Sequence, residues 1–325
     1  MQVNSHMSTI EHLNTIIPTE MAGLRIDKAL ALLFPDYSRA RLQQWIRDEH
    51  VLINAKKVRA KDKIQGGEQV DITAEIEETV TWQAQPIPLN IIYEDDDIII
   101  VDKPVGLVVH PGAGNQDKTL VNALLHHAPE LEQLPRAGII HRIDKDTSGL
   151  LVVTRSIKAH TFLSAKLQAH EFLREYQAIT QGVLVAGGNV DAPIGRHPTQ
   201  RTKMAVIHNG KPAITHYRVI ERYRAHTHIR VQLETGRTHQ IRVHMAHQHY
   251  PLVGDPVYGG RLRLPAESSE LLKNTLRHFP RQALHAAKLG FIHPSRQEMM
   301  EWESPLPQDM LDLLNVLAQD KQDHA

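Results

Sequence analysis

Ala137-Gly-Ile-Ile-His-Arg-Ile-Asp-Lys-Asp-Thr-Ser-Gly-Leu-Leu-Val-Val-Thr-Arg155 holds two apolar, β-branched runs around a short charged loop. The pattern predicts Gly138 to Ile140 as the end of one strand and Leu150 to Thr154 as a second, buried strand. Asp144, Asp146, Thr147, Ser148 and Gly149 suit a tight connection between them, because short polar side chains bond their own backbone and Gly accepts positive φ. His141-Arg142-Ile143-Asp144 places an acid and a base at the lip of an apolar core. A charge there interacts strongly with whatever faces it.

Working outward, Leu89 to Tyr93 and Asp97 to Val101 are predicted strands, and Thr119 is suited to cap a helix reaching His127. Downstream, Ser156 to His170 is predicted helical and Glu171 to Gly182 extended. Lys203 to His208, Pro212 to Arg224 and His226 to Leu233 are expected to form three successive strands of an antiparallel meander. Thr238 is expected to cap a further helix, in which Ile241 and Met245 share one face and Arg242 points elsewhere. Strands joined by short turns more often than by helical crossovers predict an α/β (α+β) domain on a mixed, mostly antiparallel sheet.

Towards the N-terminus a smaller unit is predicted. Asp27 to Leu33 is an amphipathic helix, Pro35-Asp36 breaks it, and Ser38 caps a second helix with Leu42, Trp45 and Ile46 inward. Val51 to Ile53 is a strand, Asn54-Ala55 a turn, Gly66-Gly67 another turn, and Gln69 to Thr73 a strand. The acidic, proline-bearing stretch Thr73 to Asn90 is expected to be a linker. The expected organisation is a flexible N-terminus at 1–22, a small domain at 23–75, a linker at 76–88 and a main domain at 89–325. Ser5-His6-Met7 has the look of a cloning remnant and carries no argument.

Composition bounds the function. Among 325 residues, 23% are charged and 41% hydrophobic, as in an ordinary globular protein. No apolar run is long enough for a membrane span and no signal-peptide core is present, so the expectation is a cytoplasmic protein with no membrane contact. The absence of Cys excludes disulfides and Cys-ligated zinc. Net charge is zero but unevenly spread. Residues 25–63 hold ten Lys/Arg against five Asp/Glu, residues 196–242 ten against two, and residues 298–325 one against seven. Two basic blocks offset by an acidic tail fit a polyanion partner. The 22 histidines invite a metal. Yet His226/His228, His247/His249 and His244/His247 lack a His-Glu-x-x-His frame, so surface and polyanion-facing imidazoles are the preferred reading and no metal is expected. Gly112-Ala-Gly114 lacks the rest of a phosphate loop and is taken as a turn.

His141-Arg142-Ile143-Asp144-Lys145-Asp146-Thr147-Ser148-Gly149 resembles the H-R-L-D-x-x-T-S-G motif of the RluA-type pseudouridine synthases, with Ile143 for Leu. A protein-kinase loop does not fit, since Ile143 separates Arg from Asp and no Gly-rich loop precedes it. Five further segments resemble the same family, two of them being Pro251-Leu-Val-Gly-Asp255-Pro-Val-Tyr-Gly259 and Ala283-Leu-His-Ala-Ala-Lys-Leu-Gly-Phe-Ile-His-Pro294. The other three are Lys103-Pro104-Val-Gly106-Leu-Val-Val-His110-Pro111-Gly112, Arg174-Glu-Tyr176-Gln-Ala178 with Arg for the usual Lys, and Thr235-Gly-Arg-Thr-His-Gln-Ile-Arg242. Arg25-Ile26-Asp27, Tyr37-Ser38-Arg39, Val51 to Asn54 and Gly66-Gly67-Glu68 resemble the S-four-type RNA-binding module, with Ala55 where Gly is usual.

The resemblance implies an isomerase that breaks the N1 glycosidic bond of a uridine, turns the base and rejoins it through C5, without cofactor. Such chemistry needs a nucleophile and a base drawn out of its stack. By resemblance Asp144 is the nucleophile, attacking either the sugar or the base, Arg242 is its charge partner, and Tyr176 is the ring that stacks on uracil and mediates loss of the C5 proton. Arg142 would hold the place of the flipped base. RNA contacts are expected from Arg142, His141 and Arg237, and from Arg39, Arg41, Lys56 and Lys57 of the N-terminal module. The implied partner is 23S rRNA of the large ribosomal subunit, at the stem-loop of positions 1911, 1915 and 1917, acted on by a monomer. The alternative is a non-catalytic RNA-binding or ribosome-assembly protein on the same fold.

Overall fold

The computed structural model describes residues 9–35, 37, 39–76, 82–112, 115–200 and 202–324. Ser5-His6-Met7, Asp36 of the helix-breaking pair, the Ser38 cap and two residues of the Gly112–Gly114 turn lie outside them. The chain divides into two compact units, Met1–Thr81 and Trp82–Ala325.

The first unit is a four-stranded antiparallel sheet beside two helices. Its elements are β1 (Thr9–Ile16), α1 (Ile26–Leu33), α2 (Arg39–Arg47), β2 (Val51–Ile53), β3 (Lys56–Lys57) and β4 (Gln69–Ile76), with sheet order β1-β4-β2-β3. Ile26, Ala29 and Leu30 pack with Leu42, Trp45 and Ile46 over Val51, Val70 and Ile72. Residues 1–22 are therefore not a flexible tail throughout. β1 pairs with β4 in register from Thr9↔Ile76 to Ile16↔Gln69. Its order comes from a non-local ladder, which a mostly polar strand does not announce in its own sequence.

Asn54-Ala55 closes the β2–β3 hairpin with both residues at positive φ, 48° and 60°. That is the two-residue turn whose twist matches the strands, and Gly is its natural second residue. Ala in the left-handed region costs about 1 kcal/mol. Ala55→Gly is therefore expected to stabilise this unit by about 0.5 kcal/mol once the extra freedom of unfolded Gly is deducted. Urea unfolding followed through Trp45 checks the sign, and a loss of stability would mean that Ala55 is unstrained.

In the second unit, nine of the described strands form one sheet. It comprises β5 (Asn90–Glu94), β6 (Ile98–Lys103), β7 (Ser148–Thr154), β8 (Leu173–Gln181), β9 (Gly188–Asp191), β12 (Ile214–Arg222), β13 (His226–Leu233), β14 (Leu284–Ile292) and β15 (Met299–Glu303). The order is β5-β6-β7-β14-β8-β13-β12-β9, with β15 also against β14. Among the described strands only the β7–β14 pair is parallel. Around the sheet lie α3 (Leu120–His127), α4 (Ile157–Gln168), α5 (Gln240–His247), α6 (Glu270–His278) and α7 (Gln308–Gln322). Ile99, Val101, Leu151 and Val153 face α3 and α5 on one side. Ile98, Ile100, Leu150 and Val152 face Leu163 of α4, Phe172 and Phe291 on the other. Burial on both faces explains why β6 and β7 are unbroken apolar runs rather than alternating ones.

Several expectations need correction. Gly138 to Ile140 is not a strand end: Pro135–Gly138 is a 3-10 turn, and Ile139 makes a single bridge to Val153. Lys203 to His208 is not in the meander. Its core, β11 (Met204–Val206), pairs with β10 (Ile194–Arg196) in a separate ribbon, and the outer neighbour of β12 is β9. Local β-propensity marked the strand but could not choose its partner. Of the expected linker 76–88, Ile76 belongs to β4 and residues from 82 onward to the second unit. The Trp82 ring lies 5.7 Å from that of His110, and Asn122 Nδ2 donates to the Gln83 carbonyl at 2.8 Å.

Candidate active site

The loop before β7 is held from beneath by a buried lysine. Lys103 ends β6 fully buried, and its Nζ donates to the carbonyls of Pro104 (2.7 Å) and Lys145 (2.9 Å). The Gly106 N–H donates to the same Lys145 carbonyl at 3.0 Å. Burial pulls the Lys103 ammonium down to about 8, against the opposing pull of Asp146 and Asp144, so it remains protonated at neutral pH. The Thr147 N–H closes the turn onto the Asp144 carbonyl at 3.1 Å. Gly149, at φ 110°, lets β7 approach β14, since a Cβ there would lie 2.2 Å from the Ala286 carbonyl oxygen. These contacts hold the backbone on either side of Asp144 and set its carboxylate, 22% exposed, at the mouth of the sheet.

The facing wall is built by the segment from β13 into α5. Gln240 ties it together: its Oε1 accepts from Thr235 Oγ1 (2.7 Å) and the Arg237 N–H (2.9 Å), and its Nε2 donates to the Ile214 carbonyl (2.9 Å). Ile241 and Met245 enter the core, which turns Arg242 towards Asp144. Arg242 Nη1 lies 3.0 Å from Asp144 Oδ2. Its other edge is gripped by Asp255, Nε to Oδ2 at 2.7 Å and Nη2 to Oδ1 at 2.9 Å. The Val257 and Tyr258 N–H groups also donate to Asp255 Oδ1, at 2.8 and 2.9 Å. Burial opposes both charges. Even so, Asp255 and Asp144 raise the Arg242 pKa, and Arg242 with the two N–H groups holds the Asp255 carboxyl below the usual carboxylate range.

His239 sits between these groups in a left-handed conformation, φ 57°. Its Nδ1 is 2.8 Å from the Tyr258 hydroxyl and its Nε2 4.0 Å from Asp144 Oδ1. The Met204 N–H donates to the Tyr258 oxygen at 2.9 Å. Burial lowers the pKa of His239, although Asp144 pulls the other way.

These walls enclose a cleft of about 440 Å³ that includes Asp144, Arg174, Tyr176 and Arg242. Tyr176 projects from β8 and is almost fully buried. Burial pushes its phenol up to about 12, with Arg174 lowering it and Asp144 raising it, so the phenol is neutral at physiological pH.

His141, Arg142 and Arg237 line the same cleft. Arg142 is exposed and its Nη2 donates to Thr238 Oγ1 at 3.0 Å. Thr238 is accordingly not the helix cap; His239 holds that position without a side-chain bond. Arg237 Nε donates to the Pro212 carbonyl at 3.0 Å. His141 turns inward, accepting the Val152 N–H on Nε2 at 3.1 Å, and burial followed by Arg174 pushes its pKa down to about 3.

The four other basic residues belong to the first unit. Arg39 is committed to the buried carboxylate of Asp27 at 2.8 Å, beside Arg25 at 3.0 Å. Arg41 lies over the Trp45 ring, Lys57 pairs with Glu49, and Lys56 is exposed.

The histidines also differ from expectation. His226, His228 and His244 are buried rather than on the surface. They fall on inward positions of β13 and α5, where His228 Nε2 meets Gln177 Oε1 and His244 bridges Thr215 and the Ala192 carbonyl. Sequence reasoning assigned no role to Lys103, His239 or Asp255. Lys103 and His239 stand inside recognised segments. Asp255 stands inside one as well, Pro251–Gly259, between Gly254 and Pro256, where nothing in the sequence pairs it with Arg242.

An RNA pseudouridylate synthase family model matches residues 97–247, and an S4 domain model matches residues 24–70. Ribosomal large subunit pseudouridine synthase D of Pseudomonas aeruginosa is 56% identical over 306 residues, covering 94% of this chain and 96% of the relative. The protein of the same name from Escherichia coli is 56% identical over 313 residues, covering 96% of each. Among solved structures, human RNA pseudouridylate synthase domain containing 4 superposes with a TM-score of 0.57 at 25% identity, over 70% of this chain and 93% of that one. A shared fold alone would leave the chemistry open, but identity sustained across both modules does not: the chain belongs to the RNA pseudouridylate synthase family of isomerases, with an S4 domain ahead of its catalytic module.

Proposed function

We propose that the protein converts uridines of large-subunit ribosomal RNA to pseudouridine, with Asp144 as nucleophile, Arg242 as its charge partner and Tyr176 against the uracil. The observation that carries this reading is the Asp144–Arg242 contact of 3.0 Å in a cleft large enough for a flipped base. The names of the relatives point to the large subunit, and the stem-loop of positions 1911, 1915 and 1917 is the proposed target. Asp255 fixes the far edge of Arg242, so its near edge can hold the carboxylate in line for attack. With its phenol neutral near physiological pH, Tyr176 packs on the base rather than taking a proton from it. Arg142, at the exposed rim, occupies the gap left in the RNA stack, with Arg237 on the neighbouring backbone and His141 bracing the loop from behind.

No helix among the described residues is long and apolar enough to cross a membrane, and a cytoplasmic monomer acting on rRNA is the proposed setting. Mapping pseudouridines in cellular rRNA with and without this protein tests the function. Loss of specific large-subunit sites supports it, and an unchanged map would favour the non-catalytic RNA-binding alternative.

The S4 domain acts in this reading as an RNA clamp, through Lys56, Lys57, Arg41 and Arg39. Arg39 is a poor test, because it also satisfies buried Asp27. Lys56→Gln with Lys57→Gln is expected to weaken RNA binding while leaving the saturated conversion rate within about twofold. It should also lower the slope of log affinity against log salt by about 1.5, since each lysine would otherwise neutralise one phosphate and release its counterions. Fluorescence titration across a salt series reads both, and an unchanged slope would remove these lysines from the interface.

A further inference from the structure

Arg174 is a buried guanidinium without a carboxylate. The other fully buried arginines of the second unit are paired, Arg242 with Asp255 and Asp144, and Arg281 with Asp309 at 2.7 Å. Among the described residues Arg174 has no ion-pair partner. Its Nη2 donates to the carbonyls of Glu234 (2.7 Å) and Leu233 (3.3 Å), and its buried Nε has no acceptor. The nearby acids are engaged elsewhere: Glu175 with Arg230 at 3.1 Å, Glu234 with His216 at 2.6 Å. Gly236 leaves room beside Arg174, since a Cβ there would lie 3.0 Å from Nη1.

A cation held out of water in this way is costly unless an anion meets it. Arg174 and Tyr176 stand two residues apart on β8, so they face the same side of the sheet, and both line the cleft. Resting on the function proposed above, the reaction supplies one anion there. When the N1–C1′ bond breaks, its electron pair leaves with the base, and the negative charge spreads over N1, O2 and O4. C1′ is either captured by an Asp144 oxygen or relieved by loss of the C2′ proton to it. Closure forms the C5–C1′ bond from the base's electrons, and Asp144 leaves C1′ or returns the proton to C2′, regaining its carboxylate either way. The C5 proton then passes to water and N1 takes one from water, so the product is an isomer and Arg174 is unchanged.

We propose that Arg174 is the counter-ion of the detached uracil, donating from Nη1 and Nε to its oxygens while the ring turns. Its position beside Tyr176, rather than at the rim with Arg142 and Arg237, suits the base better than a backbone phosphate.

The test compares wild type, Arg174→Gln and Arg174→Lys in single-turnover reactions at saturating protein. The substrate is an rRNA stem-loop carrying either uridine or 5-fluorouridine at the target, read as loss of the original nucleoside. Fluorouracil is the more acidic base and depends less on a counter-ion. Arg174→Gln should lose about 100-fold on uridine but less than about 10-fold on fluorouridine, with RNA affinity within about threefold of wild type. Arg174→Lys should recover part of the uridine rate. Equal losses on both substrates would make Arg174 a structural residue and overturn the proposal. Lost affinity with an unchanged saturated rate would overturn it in favour of a phosphate contact. Should Arg174→Gln not fold, the Arg174→Lys variant carries the same comparison, with a smaller loss on fluorouridine than on uridine expected. Wild type that makes no pseudouridine would instead defeat the function itself.

Discussion

Replacing Asp255 by Asn is expected to lower stability by about 3 kcal/mol and to slow uridine conversion by about 100-fold. The side chain is fully out of water and its two oxygens serve four donors, two from Arg242 and the Val257 and Tyr258 N–H groups. The Asn oxygen can replace Oδ1, but its amide nitrogen then faces Arg242 Nε, donor against donor. The buried guanidinium loses its main counter-charge and its fixed orientation together. An error of about 1 Å in placing Asp144 through Arg242 suffices for the loss in rate. The pH dependence has a definite sign. Because the folded pKa of Asp255 is depressed, the pair contributes fully above the unfolded carboxyl value, and that contribution is lost as pH falls through the folded value. The Asn variant should therefore lose part of the wild-type sensitivity to acid. Urea unfolding across pH and single-turnover conversion measure both effects. Unchanged stability and rate would mean that Arg242 is positioned without Asp255.

The fold was legible where chemistry is local. Thr119 caps α3 as its position suggested, its side chain and that of Asn122 forming a reciprocal capping pair. Ile241 and Met245 are both buried, and they leave Arg242 facing Asp144 across 98 residues of sequence. What stayed hidden was non-local. β1 is a strand because β4 is beside it, and β11 left the meander because β10 claimed it. Lys103 looks like a surface lysine until two carbonyls are found around its ammonium. Asp255 shows its charge but not its partner. Arg39 shows the opposite limit: its basic charge suggested RNA, while much of its bonding goes to Asp27.

The most direct measurement is single-turnover conversion of a uridine-containing rRNA fragment by Asp144→Asn and Asp146→Asn, with RNA binding and thermal stability followed in parallel. Asp144→Asn preserves shape and can still accept a hydrogen bond from Arg242 Nη1, but it has no anionic oxygen to attack with. Asp146 lies two residues away in the same turn, where its carbonyl accepts from Arg281 Nη1 at 3.3 Å, and it does not line the cleft. Both variants should fold, and both should bind RNA through the basic blocks, which neither change touches. With Asp144 as nucleophile, Asp144→Asn forms no pseudouridine at long times, a loss of at least about 10,000-fold, while Asp146→Asn keeps substantial activity. Normal turnover by Asp144→Asn would contradict that role.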